Sequence, residues 1–315
     1  MCLVPPGSFF QNELWQVQNG SEAAIMRYEL PDVRSDQSGY EKIALLHTEV
    51  QPLFADILEL SFAKCAFFEA NMAAPLEAVL ARIANDLNSI KIVDVPENVK
   101  KILCRNSFLV RYGYECLPDT KETTIPFRRM RLGETGLFGE YLEQYFRGKG
   151  LPAMTPRLSN VMRQNIFEIY QNAVMHSDSK IGMFVCGQYY PSKHRLDFTL
   201  ADAGIGIRTN VRHYFRREDI NSVDAIRWAL KEGKTTKTGS QPGGMGLKFL
   251  KEFIRLNQGK LQIASRDGFY QYSAGREFFV EIKGDFPGTV VNLEVNTADQ
   301  QSYRLSTEVN ASDIF

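Results

Sequence analysis

The sequence predicts an α/β chain in two units: an α/β domain over residues 42–115 and a second unit of helices and strands over 136–296. Three observations predict this. The 315 residues suffice for two cores of ordinary size. Over 41–115, short apolar or β-branched runs alternate with stretches of helical period, as expected for helices packed on a sheet. Beyond Leu137 helices and strands return, now with glycine clusters after a strand and before a helix. The remaining stretches are read as an irregular segment over 1–41, a linker over 116–135 and a polar tail over 297–315.

The elements follow in order. Pro5, Pro6, Gly7, Gly20, Pro31 and Gly39 interrupt any period before residue 41. Ile57 to Phe62 is a strand, with Glu59 and Ser61 at alternate positions. A helix starts at Pro75 and carries Leu76, Val79, Leu80, Ile83 and Leu87 on one face. Ile90 to Val93 is a second strand, and Val99, Ile102 and Leu103 suit a second helix. Pro118, Pro126 and the polar character of 116–135 mark the linker, whose Arg128, Arg129 and Arg131 read as a solvated face. Helices are expected over Leu137–Phe146 and about Leu158–His176. Strands are expected at about 181–189 and 196–201, turning at Pro191-Ser192-Lys193. A mixed segment covers 207–242, a helix 246–256, and strands 260–264, 277–283 and 289–295 close the unit.

Composition excludes several functional classes. Lys plus Arg and Asp plus Glu both number 37, so bulk charge favours neither nucleic acid nor an anionic membrane surface. Cys2, Cys65, Cys104, Cys116 and Cys186 are odd in number and form no C-x-x-C pair, which argues against a disulfide framework or structural zinc. The expected compartment is the reducing cytoplasm. The first residues lack a basic start followed by an apolar run, and Leu58–Leu80 carries too many polar groups for a membrane span.

Three clues in the second unit bear on chemistry. Glu168, Asn172 and His176 lie at i, i+4 and i+8, on one stripe of a helix. A carboxylate one turn from a carboxamide suits a general base beside a metal ligand; alone, the stripe also fits a solvated face. Asp202-Ala-Gly204-Ile-Gly206 follows the strand Leu196–Leu200. Its glycines admit close approach of a ligand, and its carboxylate can accept from an exocyclic amine; alone, it also fits an Asp-Gly turn. Gly243-Gly244-Met245-Gly246 opens an amphipathic helix, whose first amides can bind an anion. It is neither a Walker A motif nor a Rossmann fingerprint, and alone it also fits a linker.

Taken together and in this order, the clues resemble the ATP-binding domain shared by DNA gyrase, heat-shock chaperones, histidine kinases and mismatch-repair proteins, the GHKL superfamily. The resemblance covers roughly Gly136 to Asn296 and implies a two-layer α/β sandwich. Glu168 and Asn172 match the N box, Asp202, Gly204 and Gly206 the D-x-G-x-G box, and Gly243, Gly244 and Gly246 the second glycine box. Gly233 to Lys237 resembles the segment before that box, and Gly288-Thr289 the late Gly-Thr pair. The resemblance implies ATP and Mg²⁺ as ligands. Asn172 would hold the metal and Asp202 the adenine amine. Gly204 and Gly206 would shape the pocket. Gly244, Met245 and Gly246 would offer amides to phosphate, Lys237 would act as a lid cation within 207–242, and Thr289 would lie near adenine. Glu168 occupies the general-base position.

Residues 42–115 are similar, more loosely, to STAS domains. The turn that carries a regulatory serine there reads Glu69-Ala-Asn71-Met-Ala-Ala-Pro75 here, with no hydroxyl, which leaves a docking or scaffolding role. The functional expectation is an Mg²⁺-dependent ATPase acting as a nucleotide-driven switch for a protein partner, with a nucleotide-dependent dimer among the arrangements allowed. One alternative is a protein kinase of the anti-sigma-factor serine kinase type, E-x-x-x-N-A-x-x-H being shared with those kinases. A histidine kinase fits less well, because only His47-Thr-Glu-Val-Gln-Pro52-Leu53 approaches an H box. The remaining alternative is a non-enzymatic interaction module.

Overall fold

The computed structural model describes residues 23–131, 133–176, 181–231 and 246–308, with the side chains of 173–176 excepted. The chain is mixed α/β with several sheets.

The N-terminal half contains β1 (Ile25–Glu29), α1 (Gln37–Val50), β2 (Ile57–Ser61), α2 (Ala73–Asn85), β3 (Ser89–Val93) and α3 (Glu97–Arg105). The three strands pair in parallel in the order β1-β2-β3, with Ile25 opposite Ile57 and Ile57 opposite Ser89. Parallel neighbours need crossover connections, and α1 and α2 supply them. Asp36 caps α1 by accepting the Gly39 amide at 2.9 Å. α2 begins two residues before Pro75, which therefore lies in the first turn, where a missing N–H is harmless.

Two readings of the sequence are corrected here. The segment 1–41, read as irregular, contains β1 and the start of α1. Pro31 falls just beyond the strand. Gly39 falls inside the first turn of α1, where a Cβ would stand 1.8 Å from the Arg34 carbonyl. These residues punctuate element ends rather than erase the elements. The stretch 116–135, read as a linker, contains β4 (Thr124–Met130), an edge strand of the second sheet. The strand's one proline, Pro126, falls where the register with β6 shifts and is tolerated because the strand has an unpaired edge. Nor are its arginines simply a solvated face. Arg129 Nε donates to the Ile181 carbonyl at 2.8 Å, and its guanidinium lies over the Phe184 ring.

The chain continues through α4 (Thr135–Phe146), β5 (Ala153–Met154), α5 (Pro156–His176), β6 (Met183–Tyr190) and β7 (Arg195–Asp202). Then come α6 (Gly206–Phe215), α7 (Ser222–Ala229), α8 (Gly246–Asn257), β8 (Lys260–Ser273), β9 (Arg276–Asn296) and β10 (Ser302–Tyr303). β4-β6-β7-β9-β8 form an antiparallel sheet, while β5 and β10 make a separate short pair. The two strands expected at 277–283 and 289–295 are one bent strand, β9, whose pairing with β8 shifts around Arg266.

Period-2 alternation sends side chains of the five-stranded sheet to two covered faces. Val185, Leu196, Phe198, Leu200, Leu261 and Leu293 meet the helical layer of α4, α5 and α8. Phe184, Cys186, Ala201, Ala264 and Val290 share a core with Leu58, Leu60, Ile92 and the apolar faces of α1 and α2. The order is therefore sheet, helices, sheet, helices, and the five-stranded sheet is covered on both faces. Polar groups fill the centre of the interface with the N-terminal layer. Asn71 Nδ2 lies 3.0 Å from Thr199 Oγ1 and 3.2 Å from Asn292 Oδ1 and Ser35 Oγ. Glu69 accepts the Ser35 amide at 2.6 Å and pairs with Arg195. Among the described residues no helix is long and apolar enough to cross a membrane.

Candidate functional site

Strand register brings Asp202, Gly288 and Thr289 to one end of the five-stranded sheet. Asp202 ends β7 opposite Met183, the first residue of β6. α5, which carries Glu168 and Asn172, precedes β6 in the chain and packs on α8. β9 pairs Val290 with Ala201, which carries Gly288 and Thr289 to the same place, and β8 adds Ser265 opposite Thr289.

Asp202 is buried, and Oδ1 accepts the Gly204 amide at 2.8 Å. The Thr289 backbone N–H also hydrogen-bonds the carboxylate. Burial pushes this carboxyl up to about 7, against which the two amides pull it down. Gly288 is required: at φ +86° a Cβ would stand 2.2 Å from the Asp202 carbonyl oxygen and 2.5 Å from Oδ1. Gly206 opens α6 at φ +77°, where a Cβ would meet Ser265 Oγ at 2.9 Å.

Ser265 ties this turn together and was missed by sequence reasoning. Its Oγ accepts the Ile207 amide at 2.9 Å, donates to the Gly288 carbonyl at 2.8 Å and lies 3.1 Å from Thr289 Oγ1. The signal available is a small polar residue directly after the expected strand 260–264, but its value depends on the β8–β9 register, which only the fold supplies.

The second half of the site is where α8 meets α5. A Cβ on Gly246 would stand 3.0 Å from the Asn165 carbonyl and 3.0 Å from Glu168 Oε2. Glycine here lets the first turn of α8 approach the Glu168 carboxylate. Asn172 follows one turn later and is half-buried. Residues 232–245, with Gly233–Lys237, Gly243, Gly244 and Met245, lie outside the described residues, as does the His176 side chain.

Among the described residues no three His, Cys, Asp or Glu side chains converge on a possible metal site. A cleft of about 420 Å³ lies at the other end of α8, lined by Asn257, Asn296, Asp299 and Gln301 among others, and holds none of the predicted residues. No family model and no curated protein sequence matches this chain.

Proposed function

We propose that the chain binds ATP with Mg²⁺ at this end of the sheet and hydrolyses it, acting as a nucleotide-driven switch of the GHKL type. The observation that carries the reading is the joining of Asp202, Gly204, Gly206, Gly288 and Thr289 in one buried turn around Ser265. A buried carboxylate fixed by backbone amides suits recognition of an exocyclic amine, because its geometry is set before the ligand arrives. Gly206 and Gly288 keep the surrounding backbone close.

Glu168 and Asn172 support the catalytic part. Glu168 stands beside the start of α8, where amides can hold an anion. A carboxylate at that point can take a proton from an attacking hydroxyl. Asn172 offers a carbonyl oxygen to a magnesium ion. Such an ion takes its remaining ligands mostly from phosphate and water, so it needs no protein cluster of acids and histidines. When bound it would neutralise phosphate charge. Gly244, Met245, Gly246 and Lys237 remain part of the proposal as phosphate contacts.

The N-terminal layer is read as a STAS-like scaffold docked on the sheet. Its Glu69–Pro75 turn has no hydroxyl, and Asn71 is buried against Thr199 and Asn292. Transfer to a serine or threonine of a protein partner is the second reading, since a base at Glu168 serves water or a protein hydroxyl equally. Autophosphorylation at His47 is disfavoured: the side chain is buried, with Nδ1 2.6 Å from the Asp285 carbonyl.

Titration calorimetry with Mg-ATP tests binding; no heat of binding by the intact folded chain removes the reading. Incubation with γ-labelled ATP then separates the two chemistries, with free phosphate expected from hydrolysis and labelled protein partner from transfer.

A further inference from the structure

We propose that Arg266 is a positioning residue for the Asp202–Gly206 turn, and that α1 of the N-terminal layer fixes it there through Asp285. This inference rests on the nucleotide reading for its effect on ligand, though not for its effect on the turn.

The bend in β9 is where the two halves of the chain grip one another. Gly284, at φ +84°, is pressed onto α1: a Cβ would stand 2.6 Å from the Ala44 carbonyl carbon. Three hydrogen bonds fasten the bend. The Lys283 amide donates to Glu41 Oε2 at 3.2 Å, and the Asp285 amide to Thr48 Oγ1 at 2.8 Å. His47 Nδ1 lies 2.6 Å from the Asp285 carbonyl, which can only accept, so Nδ1 carries the proton. Asp285 is therefore held at both its N–H and its C=O by α1.

The Asp285 carboxylate pairs with Arg266. Arg266 sits where the β8–β9 register shifts, at φ +56°, a left-handed conformation uncommon outside glycine. Such backbone persists only where its surroundings over-determine it. Its stem lies across Gly206, where a Cβ would stand 3.0 Å from both Cγ and Cδ. The preceding residue, Ser265, holds the Ile207 amide and the Gly288 carbonyl. One continuous set of contacts thus runs from Thr48 and His47, through Asp285 and Arg266, to Gly206. Each partner of the Arg266–Asp285 pair is about a quarter exposed, so the pair is less screened than one on the open surface. Freeing Arg266 would loosen the turn while leaving the strands paired.

The test uses the full chain with Arg266→Ala, Arg266→Lys, Asp285→Asn, Thr48→Val and the Arg266→Ala/Asp285→Asn double variant. Amide exchange at Gly204–Ile207 is read without ligand, and ATP affinity by calorimetry. Arg266→Ala and Asp285→Asn are expected to speed exchange at Ile207 and to weaken ATP about tenfold, within the range of coupling through a packed network. Thr48→Val should shift both readouts in the same direction. Arg266→Lys, which keeps stem and charge, should restore most of both. The double variant should be no worse than Arg266→Ala alone. Exchange at Ile207 unchanged in Arg266→Ala and Asp285→Asn, or Arg266→Lys as defective as Arg266→Ala, overturns the proposal. A wild type that binds no ATP removes the nucleotide reading, and the exchange data alone then decide the positioning role.

Discussion

Asp202 shows how one buried carboxylate sets two pH dependences. Its ordinary value of 3.8 is raised to about 7 by burial. Below about 3.8 the folded and unfolded chains both carry the proton. Between there and about 7 the unfolded chain ionises first, so stability from this group falls as pH rises and levels off above about 7. Relative to Asp202→Asn, the wild type should therefore be less stable at pH 8 than at pH 5; urea midpoints of both proteins at the two values check the sign. Ligand recognition runs the other way, since the carboxylate that accepts from an amine is the ionised form. The wild-type to Asp202→Asn affinity ratio for ATP should rise toward pH 7 and then flatten, and taking the ratio cancels titration of the phosphates. Gly288 gives a second residue-scale expectation. Gly288→Ala adds left-handed strain and a collision with Asp202, and should cost at least about 3 kcal/mol or displace the turn. Calorimetric unfolding with unchanged stability would mean that the contact relaxes freely.

At the scale of elements, α5 and α8 meet through Gly246, and that contact sets Glu168 beside the amides of the α8 N-terminus. A base acting on the attacking group contributes mainly in the transition state. Glu168→Ala should keep ATP affinity within about threefold and lower phosphate release by about 10²–10⁴. Equal release by the two proteins would exclude Glu168 as the base. The period of α5 was plain in the sequence because its apolar positions recur at helical spacing. β1 and β4 were not. β1 is only five residues long, with charged and apolar groups alternating, and β4 has a proline within it. Neither carries a local signal strong enough to overcome its neighbours; each forms because a partner strand, β2 or β6, supplies the ladder.

For the whole molecule, the decisive feature is the polar seam between the N-terminal layer and the back of the five-stranded sheet. Asn71, Ser35, Thr199, Gln262 and Asn292 hydrogen-bond to one another in a buried setting. Such a network favours one docking geometry over others, because a shifted interface strands buried donors and acceptors. Asn71→Ala should lower the unfolding free energy by about 2–3 kcal/mol, as neighbouring groups lose their partner. Denaturant curves read this directly, and a change below about 0.5 kcal/mol would mean that water replaces the side chain at little cost. Asp197 in the same seam is pushed above the usual carboxylate range, by burial first and by the neighbouring Glu294 second, so the seam resists a further negative charge.

The sequence by itself determined the α/β class, most of the longer helices and strands, and the candidate residues Glu168, Asn172, Asp202, Gly204, Gly206, Gly288 and Thr289. Those are written in hydrophobic period and in the spacing of glycine and acid, which are properties of neighbouring residues. Only the tertiary structure decided that Ser265 joins Ile207 to Gly288, that Arg266 lies on Gly206, and that Asn71 meets Thr199 across 128 residues. It likewise joined the two units through one core, from Leu58 to Val290, where the sequence reads as two domains and a linker. Those facts depend on strand register and on which faces are covered. A chain fixes both only when distant segments bury their apolar surface together, and no local pattern records that choice.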